Sequence, residues 1–182
     1  IGLPGETDGY APGFDLWRPI ERATLAYGYG ISVSVLQLAR AYAVIARGGE
    51  QLDLSILQKE ERSKGEQVVS KRSSDQVLHM LESVLSDDGT GKNARVPGYR
   101  VAGKTGTARK LTSQGYDARR YLSWFAGVAP VSNPKYAVVV MLNDPAGKRF
   151  YGGEIAAPVF SNVMESLLRF NGVLPDASLA KK

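Results

Sequence analysis

The stretch Val96-Pro97-Gly98-Tyr99-Arg100-Val101-Ala102-Gly103-Lys104-Thr105-Gly106-Thr107-Ala108-Arg109 decides how the rest of the chain is read. As an extended strand it puts Arg100, Ala102, Lys104 and Gly106 on one face and Tyr99, Val101, Gly103, Thr105 and Thr107 on the other. Gly103 and Gly106 weaken a strand and suit a place where another backbone or a ligand comes close. Lys104-Thr105-Gly106-Thr107 sets a cation, two hydroxyls and a position without a side chain on consecutive residues. An edge of this kind suits a ligand bearing a carboxylate, because the ammonium supplies a point charge and backbone N–H groups donate hydrogen bonds.

Downstream lie a polar, basic loop at residues 109–120, an apolar run from Leu122 to Ala129, the turn signal Ser132-Asn133-Pro134-Lys135, and a second apolar run from Tyr136 to Leu142. Three strands joined by short or medium connections predict an antiparallel sheet. The last element reads as a helix: Pro158 suits a first turn, and Val159, Val163, Met164, Leu167 and Leu168 make an apolar stripe that stops at Asn171-Gly172. Such a helix covers one sheet face, so the fold class is α+β, an antiparallel sheet covered by helices.

Upstream, residues 1–22 are rich in Gly and Pro with Tyr10, Phe14 and Trp17 among them, and read as an ordered loop. Ala26 to Gly30 form a tight segment before a helix. Ser34 and Gln37 have capping-box spacing, Val35, Leu38, Ala39, Tyr42, Ile45 and Ala46 recur at helical intervals, and Gly48-Gly49 stops them. Residues 52–69 look like a hairpin or a pair of surface strands around a polar tract. A further helix begins at Ser73 or Ser74, buries Val77, Leu81, Val84 and Leu85, and ends near Asp87-Asp88-Gly89. Gly89-Thr90-Gly91-Lys92-Asn93 lacks the spacing of a phosphate-binding loop and follows no strand.

Composition removes several classes of function. The chain has 182 residues, 43% of them hydrophobic, enough to bury a core. The 23 basic and 18 acidic residues leave a net charge of +5 spread along the chain, not the dense basic stripe of a nucleic-acid binder. There is no cysteine, which rules out disulfides, thiolate catalysis and cysteine metal sites. His79 is the single histidine and sits among Val77, Leu78, Met80 and Leu81, where helix packing is the expectation. Ser-His-Asp catalysis and multi-histidine metal binding therefore have little support, whereas serine-lysine chemistry needs no histidine. The apolar run Ala137 to Leu142 is far shorter than the roughly 20 residues of a membrane-spanning helix. Because the chain opens on Ile1 without a leader pattern, it is expected to be a piece of a longer protein or a processed product, with any anchor upstream.

Lys-Thr-Gly is one of three signatures of penicillin-recognising serine acyltransferases, the others being Ser-x-x-Lys and a Ser-x-Asn type motif. Ser178-Leu179-Ala180-Lys181 has the first spacing but lies in the last residues, a poor place to hold a nucleophile in a preorganised pocket. No Ser-x-Asn occurs, and Ser73-Ser74-Asp75 reads as a helix start.

Several separated blocks resemble one family: Gly2 to Glu6, Thr24 to Ala39, Val96 to Lys110, Phe125 to Pro130 and Tyr151 to Phe160. Together, and in this order, they resemble the division-specific class B penicillin-binding proteins, the septal peptidoglycan D,D-transpeptidases of Gram-negative bacteria, of the penicillin-binding protein 3 type. The resemblance implies the penicillin-binding protein and serine β-lactamase-like transpeptidase fold, here incomplete at its N-terminal side. On that reading residues 1–95 hold part of a helical lobe and connections, 96–172 the sheet and C-terminal helix, and 173–182 a tail. The apolar faces of the helices at 34–47 and 74–86 would then want partners upstream of Ile1.

The resemblance also implies roles. Lys104 would hold the electrostatics and the general acid/base network around a nucleophile. Thr105 and Thr107 would bind the terminal carboxylate of a stem peptide ending in D-Ala-D-Ala, or of a β-lactam, with Gly106 allowing close approach. The Thr107 N–H would complete an oxyanion hole. Tyr121, Phe150 and Tyr151 would wall the cleft, and Arg109 would brace the strand end. No metal or organic cofactor is implied. Partners would be the stem peptide, β-lactam antibiotics and membrane proteins of the division complex, at the periplasmic face of the inner membrane. A serine β-lactamase or penicillin-sensing domain of the same fold is an alternative, and a peptide- or partner-binding module without chemistry is another. The motif content before Ile1 separates enzyme from module.

Overall fold

The computed structural model describes residues 4–13, 15, 17–57, 64–112 and 115–177. Ser178 and Lys181 lie outside that range. In chain order the elements are α1 (Pro19–Leu25), α2 (Val35–Ala46), β1 (Glu50–Gln51), β2 (Glu66–Gln67), α3 (Lys71–Ser83), β3 (Ala102–Thr112), β4 (Gly115–Ala129), β5 (Tyr136–Asn143) and α4 (Gly152–Phe170).

The centre is an antiparallel sheet in the order β3-β4-β5, as the three consecutive runs predict. Lys104 pairs with Ala126, Thr105 with Phe125, Gly106 with Trp124 and Thr107 with Ser123. The stretch expected to be a polar loop at 109–120 is instead mostly strand: β3 runs on to Thr112 and β4 starts at Gly115, with a register shift between Arg109 and Leu111. Its charged residues are compatible with strand because Arg109, Arg119 and Arg120 are exposed, and an antiparallel strand can face water.

α4 covers one face. Phe125 from β4 meets Phe160, Met164, Leu168, Ala156 and Ala157 from the helix, all fully buried, and the Phe125 and Phe160 rings lie 4.6 Å apart at 56°. The helix begins at Gly152, so Pro158 sits in its interior and not in its first turn. Glycine at the first two positions costs helix propensity, but the space admits nothing larger. A Cβ on Gly152 would overlap the Trp124 and Gly106 carbonyl oxygens, and one on Gly153 would overlap the Thr90 carbonyl oxygen.

The other face carries Ala102, Val128 and Val131, packed by Tyr42 and Ala46 of α2 and by Leu78 and Leu81 of α3. Tyr42 and Ala46 of α2 and Leu78 and Leu81 of α3 thus find a partner within the chain, where one upstream was expected, while Val35 of the α2 stripe is exposed. Exposed apolar side chains gather in the segment before and into α2, at Tyr10, Ile20, Tyr27, Tyr29, Ile31, Val33, Val35 and Leu36. α2 begins with the expected box, Ser34 Oγ accepting from Gln37 N at 3.1 Å and Gln37 Oε1 accepting from Ser34 N at 2.8 Å. α1 falls in and beyond the segment read as loop. It is a short helix whose Arg18 and Glu21 close a capping pair. α3 starts three residues before Ser74, capped by Ser70, and ends at Ser83, earlier than expected. β1 and β2 supply only two residues each to the hairpin. His79 is exposed beside Glu82 and not packed in the helix interface.

Residues 173–177 are pinned to the sheet end. Tyr99 donates to the Val173 carbonyl at 2.6 Å, Ala177 N to Gly98 O at 3.1 Å, and Asp176 accepts from Arg100 N at 2.7 Å and Ser132 N at 3.0 Å.

Candidate functional site

β3 is an outer strand of the three-stranded sheet, so one of its edges has no strand partner among the described residues. Alternation puts Thr105 and Thr107 on the α4 side and Lys104 and Gly106 on the α2/α3 side. Gly106 has no room for a side chain, since a Cβ there would overlap the indole of Trp124, its cross-strand partner. The glycine therefore brings the tryptophan ring against the strand. Gly103 is similar, with a Cβ there coming 2.6 Å from the Phe125 ring.

Both hydroxyls are held from the α4 side. Thr107 Oγ1 accepts a 3.0 Å hydrogen bond from Gly152 N at the start of α4. With one lone pair so used, its proton is free to be donated outward. Thr105 Oγ1 lies 3.0 Å from Thr90 Oγ1 in the loop after α3, and its methyl group contacts the position of Gly153. Lys104 Nζ is exposed and reaches back along the edge, donating to Thr105 O at 3.2 Å and lying 3.4 Å from Thr105 Oγ1. The cation and the first hydroxyl thus share one polar corner although their Cβ atoms leave opposite faces.

The aromatic residues gather at the next step along the hairpin. Tyr121 and Phe150 stack at 4.1 Å and 12°, and Phe150 meets Tyr151 at 4.5 Å and 34°. Ser123 Oγ donates to the Phe150 carbonyl, which ties this loop to β4 beside Thr107. Arg109 pairs across the strands with Tyr121 and is exposed. The expected site residues Lys104, Thr105, Gly106, Thr107, Arg109, Tyr121, Phe150 and Tyr151 accordingly line one end of the sheet, from the middle of β3 to the start of α4.

Two contributors escaped the sequence reading. Gly152 supplies the N–H that orients Thr107, and Thr90 supplies the hydroxyl beside Thr105. The available signals were the Gly152-Gly153 pair and the glycines flanking Thr90. A second Ser-x-x-Lys spacing, Ser132-Asn133-Pro134-Lys135, is what the sequence reading takes for a turn, and a turn it is. It joins β4 to β5 beyond the Ala102 end of β3, where Val131 N bonds Arg100 O, about 13 Å along the strand from Lys104. No helix holds its lysine against its serine. Among the described residues no group of His, Asp and Glu could hold a metal ion, and no helix is long and apolar enough to cross a membrane.

A family model described as the penicillin binding protein transpeptidase domain matches residues 1–165. The chain is 44% identical over 177 residues to peptidoglycan D,D-transpeptidase FtsI of Escherichia coli strain K12, covering 97% of this chain and 30% of that protein. It is 40% identical over 185 residues to the FtsI of Buchnera aphidicola subsp. Baizongia pistaciae, covering 98% of this chain and 32% of that one. Among solved structures, the apo TP domain of Burkholderia pseudomallei penicillin-binding protein 3 superposes with a TM-score of 0.91 at 43% identity, over 98% of this chain and 54% of that chain. The chain thus spans less than a third of the curated relatives just named. With the family model matched from residue 1 to residue 165, this chain belongs to the penicillin-binding protein transpeptidase domain family.

Proposed function

We propose that the chain forms the carboxylate-binding wall of a serine-type peptidoglycan D,D-transpeptidase that cross-links stem peptides in septal wall synthesis and is inhibited by β-lactams. The observation that carries this reading is the polar corner of Lys104 and Thr105 on β3, with Thr107 two residues on along the same strand and its Oγ1 already accepting from Gly152 N. That bond uses one Thr107 lone pair and leaves its proton free for a ligand, and the Lys104 ammonium adds a positive charge at the neighbouring Thr105. A terminal carboxylate, which only accepts hydrogen bonds, is the complementary group.

An extended peptide lying along the free edge of β3 would bring its penultimate carbonyl near the Thr107 N–H. A serine outside these 182 residues then attacks that carbonyl and loses its proton to a neighbouring base. The carbonyl oxygen takes up negative charge, which the N–H stabilises. The C–N bond to the last D-Ala breaks, the departing amine takes the proton, and a serine ester remains. An amine of a second stem peptide attacks the ester, forms the new amide and returns the serine. Tyr121, Phe150 and Tyr151 supply an apolar wall for the substrate side chain, and Arg109 closes its end. We further assign the protein to the periplasmic face of the inner membrane, in company with membrane proteins of the division complex.

The test is intact-mass and peptide mapping after incubation with benzylpenicillin. The full-length protein is expected to gain one penicilloyl group on a serine outside these residues, and the 182-residue chain to gain none. Labelling of a serine within the chain, or no labelling of the full-length protein, rejects the reading; the second result leaves a binding module.

A further inference from the structure

Thr90 lies in a loop that no part of the proposed chemistry uses, yet its hydroxyl stands 3.0 Å from that of Thr105, 15 residues away in sequence. The loop is held in place by its own contacts. Gly91 N donates to Val84 O at 3.0 Å and Gly89 N to Ser86 O at 3.0 Å, which fold it back on the end of α3. Asn93 Nδ2 donates to Gly153 O at 2.8 Å, and the missing side chain of Gly153 lets the Thr90 carbonyl sit against the start of α4. The Thr90 hydroxyl is therefore placed by the fold on both sides, before any ligand arrives.

A hydroxyl has one proton and two lone pairs. Thr105 Oγ1 has Lys104 Nζ at 3.4 Å and Thr90 Oγ1 at 3.0 Å, and the pair of threonines can share a proton in either direction. If Thr105 donates to Thr90, it has nothing left to give a carboxylate. If Thr90 donates to Thr105, both Thr105 lone pairs are taken and its proton is free for a ligand. We propose that Thr90 is a positioning residue that selects the second arrangement, donating to Thr105 so that Thr105 donates to the substrate carboxylate. This inference rests on the carboxylate-binding reading of β3 given above.

The experiment compares Thr90→Val, which keeps the shape and removes the hydroxyl, Thr90→Ser, which keeps the hydroxyl, and Thr107→Val, all in the full-length protein. Each is acylated with benzylpenicillin and with its methyl ester, which lacks the carboxylate charge. Thr90→Val is expected to slow acylation by the acid about tenfold, the effect of losing one well-placed hydrogen bond to a charged acceptor, through weaker initial binding and not a slower chemical step. The ester is expected to react with Thr90→Val as with the unaltered protein, and Thr90→Ser to restore the acid rate. Should Thr90→Val slow acid and ester equally, or slow neither while Thr107→Val still discriminates between them, the role of Thr90 is refuted and the carboxylate site stands. Should Thr107→Val also fail to discriminate, the carboxylate reading itself falls, and Thr90 with it. Thr90→Ala gives the same readout if the valine variant does not fold.

Discussion

Against α4 the sheet presents Phe125 to Phe160, Met164 and Leu168, every one of them fully buried. Against α2 and α3 it presents Ala102, Val128 and Val131, and the covering residues Tyr42, Ala46, Leu78 and Leu81 keep part of their surface in water. β3 runs between these two layers and sends its functional groups to both. Thr105 and Thr107 hang over the start of the dry helix, where Gly152 N and Thr90 Oγ1 fix them. Lys104 leaves from the wetter side and reaches round the edge to Thr105. The contrast teaches a division of labour: hydroxyls whose direction matters are fastened to the fully buried layer, and the cation, whose charge acts without strict direction, stays exposed at the strand edge.

The sharpest way to break this contrast is to truncate one residue on each face. Phe160→Ala is expected to cost about 3–5 kcal/mol in denaturant unfolding, the range for an aromatic removed from a closed core. Leu81→Ala on the other face should cost about 1–2 kcal/mol, because less of its surface leaves water. Equal losses would mean that the two layers do not differ as described.

Gly152→Ala comes next in size. The new methyl group would press on the Trp124 and Gly106 carbonyl oxygens, at about 1–3 kcal/mol for overpacking. It would also shift the N–H that orients Thr107, so penicillin acylation should fall by more than the loss of stability explains. Unchanged acylation in a folded Gly152→Ala protein would detach Thr107 from α4.

The smallest effect concerns the α2 face at high pH. Burial pushes the Tyr42 phenol up to about 12, from its ordinary 10.0. Its neutral form is thus favoured in the folded state. That contribution is fully present below pH 10 and is lost as pH rises through about 12. Tyr42→Phe should therefore flatten the fall of stability between those two values, measured by denaturant titration at each pH. An identical alkaline limb in both proteins would show Tyr42 to be solvated.

Much of the β3 side was legible in the sequence. Alternation with glycines at 103 and 106 foretold an edge with close neighbours, and Ser34 with Gln37 foretold the start of α2, because both signals are local. The start of α4 was not legible, since Gly152 and Gly153 are poor helix formers and Pro158 is a strong helix-start signal. Their reason is tertiary: carbonyls of β3, β4 and the Thr90 loop press on that turn. The basic stretch at 109–120 misled for a related reason, because polarity marks exposure and an exposed hairpin end is still strand. Likewise the partner of α2 and α3 could not be named from their own apolar stripes. Ala102 and Val128 belong to segments far away in sequence, and only the fold brings them to Tyr42 and Leu78. Of the candidate site, the motif residues and the aromatic trio lie together at one end of the sheet as their local sequence signals suggested, whereas Thr90 and Gly152 reach it through contacts spanning 15 and 45 residues.

The central claim is that β3 reads a carboxylate with Lys104 as its charge, and the second-order rate constant for benzylpenicillin acylation of the full-length protein tests it most directly. Lys104→Ala is expected to lower that constant about a hundredfold or more, on the order of 3 kcal/mol for one preorganised electrostatic contact. Its melting temperature should match that of the unaltered protein, because the Lys104 side chain is exposed and packs in neither layer. An unchanged rate constant in a Lys104→Ala protein that melts like the original would contradict the account.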